Sequence, residues 1–184
     1  FRDVCYISIL FVIPFCRYWR LFSSNVLDRR WLSSVDMISQ YADRFFFYKN
    51  LKKGILALWH PNLTGGFPLF ANVQDGLFYP FNLIDFLTMK KGILVFGHIN
   101  AIQAIHYAMA GIFMYLCVRA FKLSQFASFV AGLSYMLCGF FWAHLNHIEI
   151  VVPASYLPLI FMQIYLSFEK KSVGHAVFAG FVLG

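Results

Sequence analysis

The chain has 184 residues, of which 60% are hydrophobic, 20% aromatic and only 12% charged, with a formal net charge of +7. A water-soluble domain must cover its surface with polar groups, so this balance argues against one and for an integral membrane protein. Ten of the fifteen Lys and Arg residues fall between Arg17 and Lys91, which suits phosphate head groups; no nucleic-acid-binding motif accompanies them, so nucleic acid is not an expected partner.

Residues 4–22 read as a first span, with Pro14 inside it and Arg17 and Arg20 near its end, where long basic side chains can snorkel to the head groups. The run lacks a small-residue cleavage site and is therefore expected to stay as an anchor. Residues 94–118, 126–143 and 150–168 are the next three apolar runs, and a fifth occupies 173–184. The chain opens on Phe1 and stops inside that last run, so it reads as a piece of a larger protein. The expected fold is an all-α, polytopic membrane bundle, one transmembrane domain over 1–184, with a long outer loop at 23–93. Cys5, Cys16, Cys117 and Cys138 lie in the apolar runs without a C-x-x-C pair and read as inert thiols.

Orientation follows from the short turns. Arg119 and Lys122 lie between the second and third runs and Lys170 and Lys171 between the fourth and fifth, whereas His144 to Glu149 has no Lys or Arg. The positive-inside tendency then puts the basic turns in the cytoplasm and 23–93 on the outer face of the cytoplasmic membrane. Loops beyond about 60 residues escape that tendency, so the basic residues of 23–93 do not oppose the assignment.

Within the outer loop, Ser33 and Asp36 have capping-box spacing, and Gly54 offers a stop, so a helix is expected from about Ser34 to Lys53. At 100° per residue Asp36, Gln40 and Asp43 share one face, with Ile38, Tyr41, Phe45 and Tyr48 opposite. This predicts an amphipathic helix on the bilayer surface, aromatic side down and carboxylates up. Pro61, Gly65-Gly66, Pro68 and Pro80 then break the chain into tight turns.

Chemistry has several candidate carriers. Asp36, held just above the lipid, suits a general base, although an Asp at that position more often simply caps its helix. Asp43 sits ~10 Å further along by helix rise, too far to share a proton with it. Arg29, Arg30 and Arg44 can hold phosphate or stand as solvated charge. In Trp59–Pro68, WHPNLTGGFP, the glycine pair reads as a backbone cradle beside a Trp59-His60 platform, or as an ordinary turn. Asn62-Leu63-Thr64 matches a glycosylation acceptor. His144, His147 and Glu149 have the spacing to hold a divalent cation, although interfacial imidazoles more often only form hydrogen bonds. His98, Asn100, Gln103 and His106 place polar groups at the start of the second run, where they should face the bundle interior.

Three ordered motifs carry a resemblance. D-x-x-x-Q-Y starts at Asp36, L-x-x-G-x-x-x-L-W-x-P-x-x-x-G-G-x-P runs from Leu51 to Pro68, and L-F-Y-P-x-N runs from Leu77 to Asn82. Together with the AGIFMYLCVRAFKLSQFASFVAGLSYMLCGFF stretch and the HLNH turn, this order resembles bacterial YfhO-type membrane proteins of the GT-C glycosyltransferase superfamily. The resemblance implies inverting transfer of a sugar from a polyprenyl-phosphate donor to an envelope glycopolymer or lipid. It implies Asp36 as general base, basic side chains on the leaving phosphate, and Gln40, Tyr41, Asp43, Arg44, Trp59, His60, Asn62, Gly65, Gly66, Asp75 and Tyr79 around the substrate. A divalent cation is an open cofactor. His60, where Asn is expected, and Gln74-Asp75-Gly76, where small residues are usual, depart from the pattern; the second makes Asp75 an alternative acid. The rival expectation is a non-enzymatic transporter or flippase of a lipid-linked envelope precursor.

Overall fold

The computed structural model describes residues 2–25, 27, 35–89 and 97–183, with 35, 36, 85 and 97–99 as backbone only. Arg29, Arg30, Ser33 and the side chains of Asp36 and His98 lie outside the described residues. The described chain is helical: α1 (Arg2–Arg17), α2 (Val35–Leu51), α3 (Leu83–Thr88), α4 (Gly97–Ala120), α5 (Gln125–Met136), α6 (Gly139–Ala143), α7 (Ile148–Glu169) and α8 (Val173–Leu183). Short 3₁₀ turns occupy Trp19–Leu21, Leu69–Ala71 and Val73–Asp75.

Three described segments are long and apolar enough to cross a bilayer: Asn100–Ala120, Gln125–Ala143 and Ile148–Glu169. α1 covers only 16 residues, short of the ~20 needed for a straight crossing. It stops three residues beyond Pro14, and Arg17 then stacks on Trp142 at 4.6 Å, so its charge meets an aromatic face at the bundle end.

α4 is the central post, packed against α1, α5 and α7, and α8 packs on α7. Small side chains make the close approach possible: Ala104, Ala108 and Ala110 are buried on α4. A Cβ on Gly132 of α5 would come within 2.7 Å of the Gly111 carbonyl oxygen of α4. Hydrophobic driving force is weak between helices in lipid, so backbone approach of this kind carries the packing. Pro153 and Pro158 sit inside α7, as a membrane helix tolerates when neighbours cover the freed carbonyls; the Tyr135 hydroxyl of α5 donates at 2.8 Å to the Ala154 carbonyl, which Pro158 leaves without its helical donor.

The two ends of the bundle differ. At one, Asp3 of α1 accepts from the Tyr115 hydroxyl, from Gln125 Nε2 at 2.7 Å and from Arg119 Nε at 3.2 Å, tying three helices together. At the other, Leu21, Met37, Ile102 and Ile148 form a cluster on which α2 rests. Asn100 Nδ2 donates to the Leu21 carbonyl at 3.2 Å and Gln103 Nε2 to the Leu145 carbonyl at 3.0 Å. Both side chains are buried, in the interior-facing position expected for them. They satisfy backbone carbonyls where the chain leaves helical structure beside an apolar core.

The glycine contacts yield a graded test. Gly132→Ala drives a methyl into a backbone carbonyl, whereas a Cβ on Gly111 would meet the movable Met136 sulfur at 2.6 Å. Gly132→Ala should therefore cost about 1–3 kcal/mol and Gly111→Ala distinctly less. Thermal unfolding of the two purified variants checks the order; equal midpoints would contradict the close α4–α5 approach.

Candidate functional site

α2 runs Val35–Leu51 and is followed by Gly54 at φ +77°, the left-handed stop that the sequence suggests. Its orientation differs from the surface helix expected. Gln40, Asp43 and Arg44 are buried together with Met37, Phe47 and Tyr48, while Ile38 stands exposed. The polar face therefore looks into the protein, where Glu149 of α7 takes the Gln40 amide, the Gln40 carbonyl takes Arg44 Nε at 3.3 Å, and Asp75 of the returning segment lies within electrostatic reach of Asp43 and Arg44. The Tyr48 hydroxyl donates to the Leu77 carbonyl at 2.9 Å. Gln40 Nε2 donates to Glu149 Oε2 of α7 at 3.1 Å, locking α2 to the bundle.

The returning segment brings Asp75 to this face. Asn72 arranges it: its Oδ1 accepts the Gln74 N–H at 3.3 Å, which leaves its Nδ2 to donate to Asp75 Oδ2 at 3.0 Å. Gly76 follows at φ +53°, a conformation that favours glycine. Its carbonyl accepts from Asn82 Nδ2 at 3.0 Å. Asp75 Oδ1 and Asn82 Oδ1 are buried and have no hydrogen-bond partner among the described residues.

These groups line a cavity of about 630 Å³, called the polar cavity for the Gln40, Arg44, Asp75, Tyr79, Asn82 and Glu149 side chains in a wall that also includes Val73, Ile148, Val152, Pro153 and Leu183. A second, apolar cavity of about 670 Å³ lies alongside, lined by residues of α7 and α8 with Phe140 and Pro80. Tyr79, Val152, Pro153 and Leu183 border both. Tyr79 is held in place by a directed chain. His106 Nδ1 donates to the Ile102 carbonyl at 2.6 Å, which leaves Nε2 of the neutral ring to accept the Tyr79 hydroxyl proton. The Tyr156 hydroxyl, 2.9 Å away, then donates to the Tyr79 oxygen. Burial holds the Tyr79 phenol above its ordinary pKa, so it stays protonated.

The electrostatics single out Asp75. Burial first, and the Asp43 carboxylate second, push its carboxyl up to about 7, against the opposing pull of Arg44 and the Asn72 amide. Burial also raises Asp43, with His60 pulling the other way. His60 stacks on Phe46 at 3.9 Å between ring centres, and its buried Nδ1 has no partner among the described residues.

Other sequence candidates go elsewhere. His60 and Phe67 form an antiparallel bridge, and Trp59, Asn62, Gly65 and Gly66 belong to its hairpin rather than to the cavity wall. The turn reading of the glycine pair is the one realised: Gly65 has φ +80° and Gly66 φ +123°, and a Cβ on Gly66 would strike the Trp59 ring at 2.5 Å. Tyr41 packs beside the Met37 cluster and does not line the cavity. His144 Nδ1 donates to the Phe140 carbonyl at 2.8 Å and His147 lies 3.4 Å from Glu149. No group of three His, Cys, Asp or Glu is placed to hold a metal among the described residues. Asp36 sits in the first turn of α2, one turn ahead of Gln40. Sequence reasoning passed over Asn72, Asn82 as a cavity group and Tyr156; an N-x-x-D-G spacing was the available signal for the first. No family model, curated protein or solved structure matches the chain.

Asp75 supplies a pH test. Its folded-state pKa lies above the ~3.9 of an unfolded Asp, so the native state keeps a proton that the unfolded chain releases. Its contribution to stability is therefore full below about pH 4 and is lost as pH rises through about 7. Asp75→Asn should raise the thermal midpoint relative to wild type at about pH 8 and leave the two closer at about pH 4. In parallel, dicyclohexylcarbodiimide, which reacts with protonated carboxyls, should label Asp75 progressively less as pH passes about 7. Mass spectrometry of the peptide reads this; pH-independent labelling would contradict the shifted carboxyl.

Proposed function

We propose that this protein is a membrane glycosyltransferase of GT-C type, moving a sugar from a polyprenyl-phosphate donor to an acceptor in the cell envelope, in the cytoplasmic membrane with residues 23–93 on its outer face. The observation that carries this reading is the pair of adjoining cavities, one with Arg44, Asp75 and Glu149 among its wall residues, the other lined by apolar residues and two tyrosines, meeting at Tyr79. An amphiphile with an isoprenoid tail and a charged sugar-phosphate head matches that division. The tail lies against α7 and α8, and the head reaches past Tyr79 to the Arg44 guanidinium.

In the reaction the acceptor oxygen attacks the anomeric carbon from the face opposite the phosphate, a carboxylate takes its proton, and the carbon–oxygen bond to phosphate breaks with both electrons leaving on the phosphate. A preorganised guanidinium near that oxygen stabilises the charge as it develops. The resemblance gives the proton-accepting role to Asp36.

Membranes carrying the protein, supplied with radiolabelled polyprenyl-phosphate hexoses with and without chelator, should pass label to an envelope acceptor and release polyprenyl phosphate. Arg44→Gln should lower that release by about 10²-fold while the protein remains inserted. Donor that crosses the bilayer intact, with no release of polyprenyl phosphate, would instead support the transporter alternative.

A further inference from the structure

Two buried acceptors on residues of the polar cavity wall have no hydrogen-bond partner among the described residues. Asp75 and Asn82 are both more than nine-tenths buried, and each spends one end of its side chain on a fixed local partner, Asn72 Nδ2 and the Gly76 carbonyl respectively. The remaining oxygens, Asp75 Oδ1 and Asn82 Oδ1, belong to residues in one cavity wall. A buried acceptor without a donor costs on the order of 1–3 kcal/mol, so this wall is built for a ligand that brings donors. A phosphodiester brings none of its own, and a simple lipid alcohol brings one. A sugar or polyol brings several hydroxyls on neighbouring carbons.

We propose that Asp75 and Asn82 form the acceptor site, that the acceptor is a carbohydrate, and that Asp75 takes the proton of its attacking hydroxyl while Asn82 holds a second hydroxyl. The assignment rests on the transfer reading above, moves the proton-accepting role from Asp36 to Asp75, and selects a glycan over a simple lipid alcohol. The step balances: the hydroxyl proton passes to Asp75 Oδ1, the acceptor oxygen forms the new bond at the anomeric carbon, and the donor phosphate departs with the electron pair of the bond that breaks. The charged and titratable groups facing Asp75 are Asp43 and Arg44 from α2, with Glu149 from α7 and the Tyr79 phenol across the same cavity. With its carboxyl titrating near neutral pH, Asp75 is ionised in a useful fraction of molecules and still basic enough to draw the proton.

Two measurements test this separately. In liposomes holding the full chain, octyl glucoside should protect Asp75 from carbodiimide labelling severalfold better than octanol, and Asn82→Leu should lose most of that protection while Asp75 still reacts. Equal protection by octanol, or none by the glucoside, overturns the carbohydrate site whether or not transfer occurs. In membranes that transfer label from a polyprenyl-phosphate hexose, Asp75→Asn should lower transfer by about 10²–10⁴-fold. The rise of rate with pH through about 7 should vanish in that variant, move in Asp75→Glu, and persist in whatever activity Asp36→Asn retains. A wild-type rate and pH profile in Asp75→Asn overturns the base. Failure of the unaltered protein to transfer any labelled hexose sinks the transfer reading and the base with it, and leaves the protection result to decide the site.

Discussion

The polar face of α2 is turned inward, and much of the structure is arranged around that constraint. Asp43 and Arg44 on this helix, and Asp75 from the returning chain, are all buried. Two acids and one guanidinium in a medium of low dielectric cannot all stay charged without a cost of several kcal/mol. The arrangement settles by holding a proton: burial and the Asp43 carboxylate push the Asp75 carboxyl towards neutrality more strongly than Arg44 pulls it back. A group kept near its titration point by its neighbours is also one that can give or take a proton during a reaction. The packing of α2 and the chemistry of the cavity thus have one cause.

The bundle provides the platform. In lipid, a carbonyl that leaves the helical pattern must find a donor inside the protein. Asn100 and Gln103 on α4 meet that need for Leu21 and Leu145, while Glu149 on α7 receives Gln40 of α2. The Gln40–Glu149 bond, across 109 residues, joins the 35–89 segment to helices that themselves pack through small residues. A cavity wall built from both parts, such as Tyr79 held by His106 and Tyr156, is as rigid as that junction.

Hydropathy made the apolar segments legible in the sequence, since a stretch long enough to cross lipid has few alternatives. The end of α2 was legible from Gly54. Its orientation was not. Periodicity separates Gln40 and Asp43 from Tyr41 and Phe45, but it says only that the two faces differ, and the usual assumption gives the polar one to water. Here Leu77, Asp75 and Glu149 cover that face, from positions up to 109 residues away. Asp75 itself showed in the sequence only as a departure from a resembling pattern. Asn72 holds one of its oxygens, for which the N-x-x-D-G spacing was the only sign, and the lack of a partner for the other depends on tertiary packing that no spacing reports. Trp59 and the glycine pair drew attention for the opposite reason: their pattern is conspicuous, and it is spent on letting an indole lie flat on a turn.

Tyr79 joins these strands. A phenol whose proton is committed to His106 and whose oxygen receives Tyr156 has little left for a ligand. Its part at the border of the two cavities is therefore one of shape: the ring separates an apolar space from a polar one. The polar side is left to groups that still have unspent acceptors, among them the buried Asp75 Oδ1 and Asn82 Oδ1, which have no partner among the described residues. In the transfer reading proposed above, a lipid-linked ligand would keep its apolar part on one side of Tyr79 and offer hydroxyls on the other. The division of labour between a greasy wall and a pair of orphaned oxygens follows from how one tyrosine is tied down.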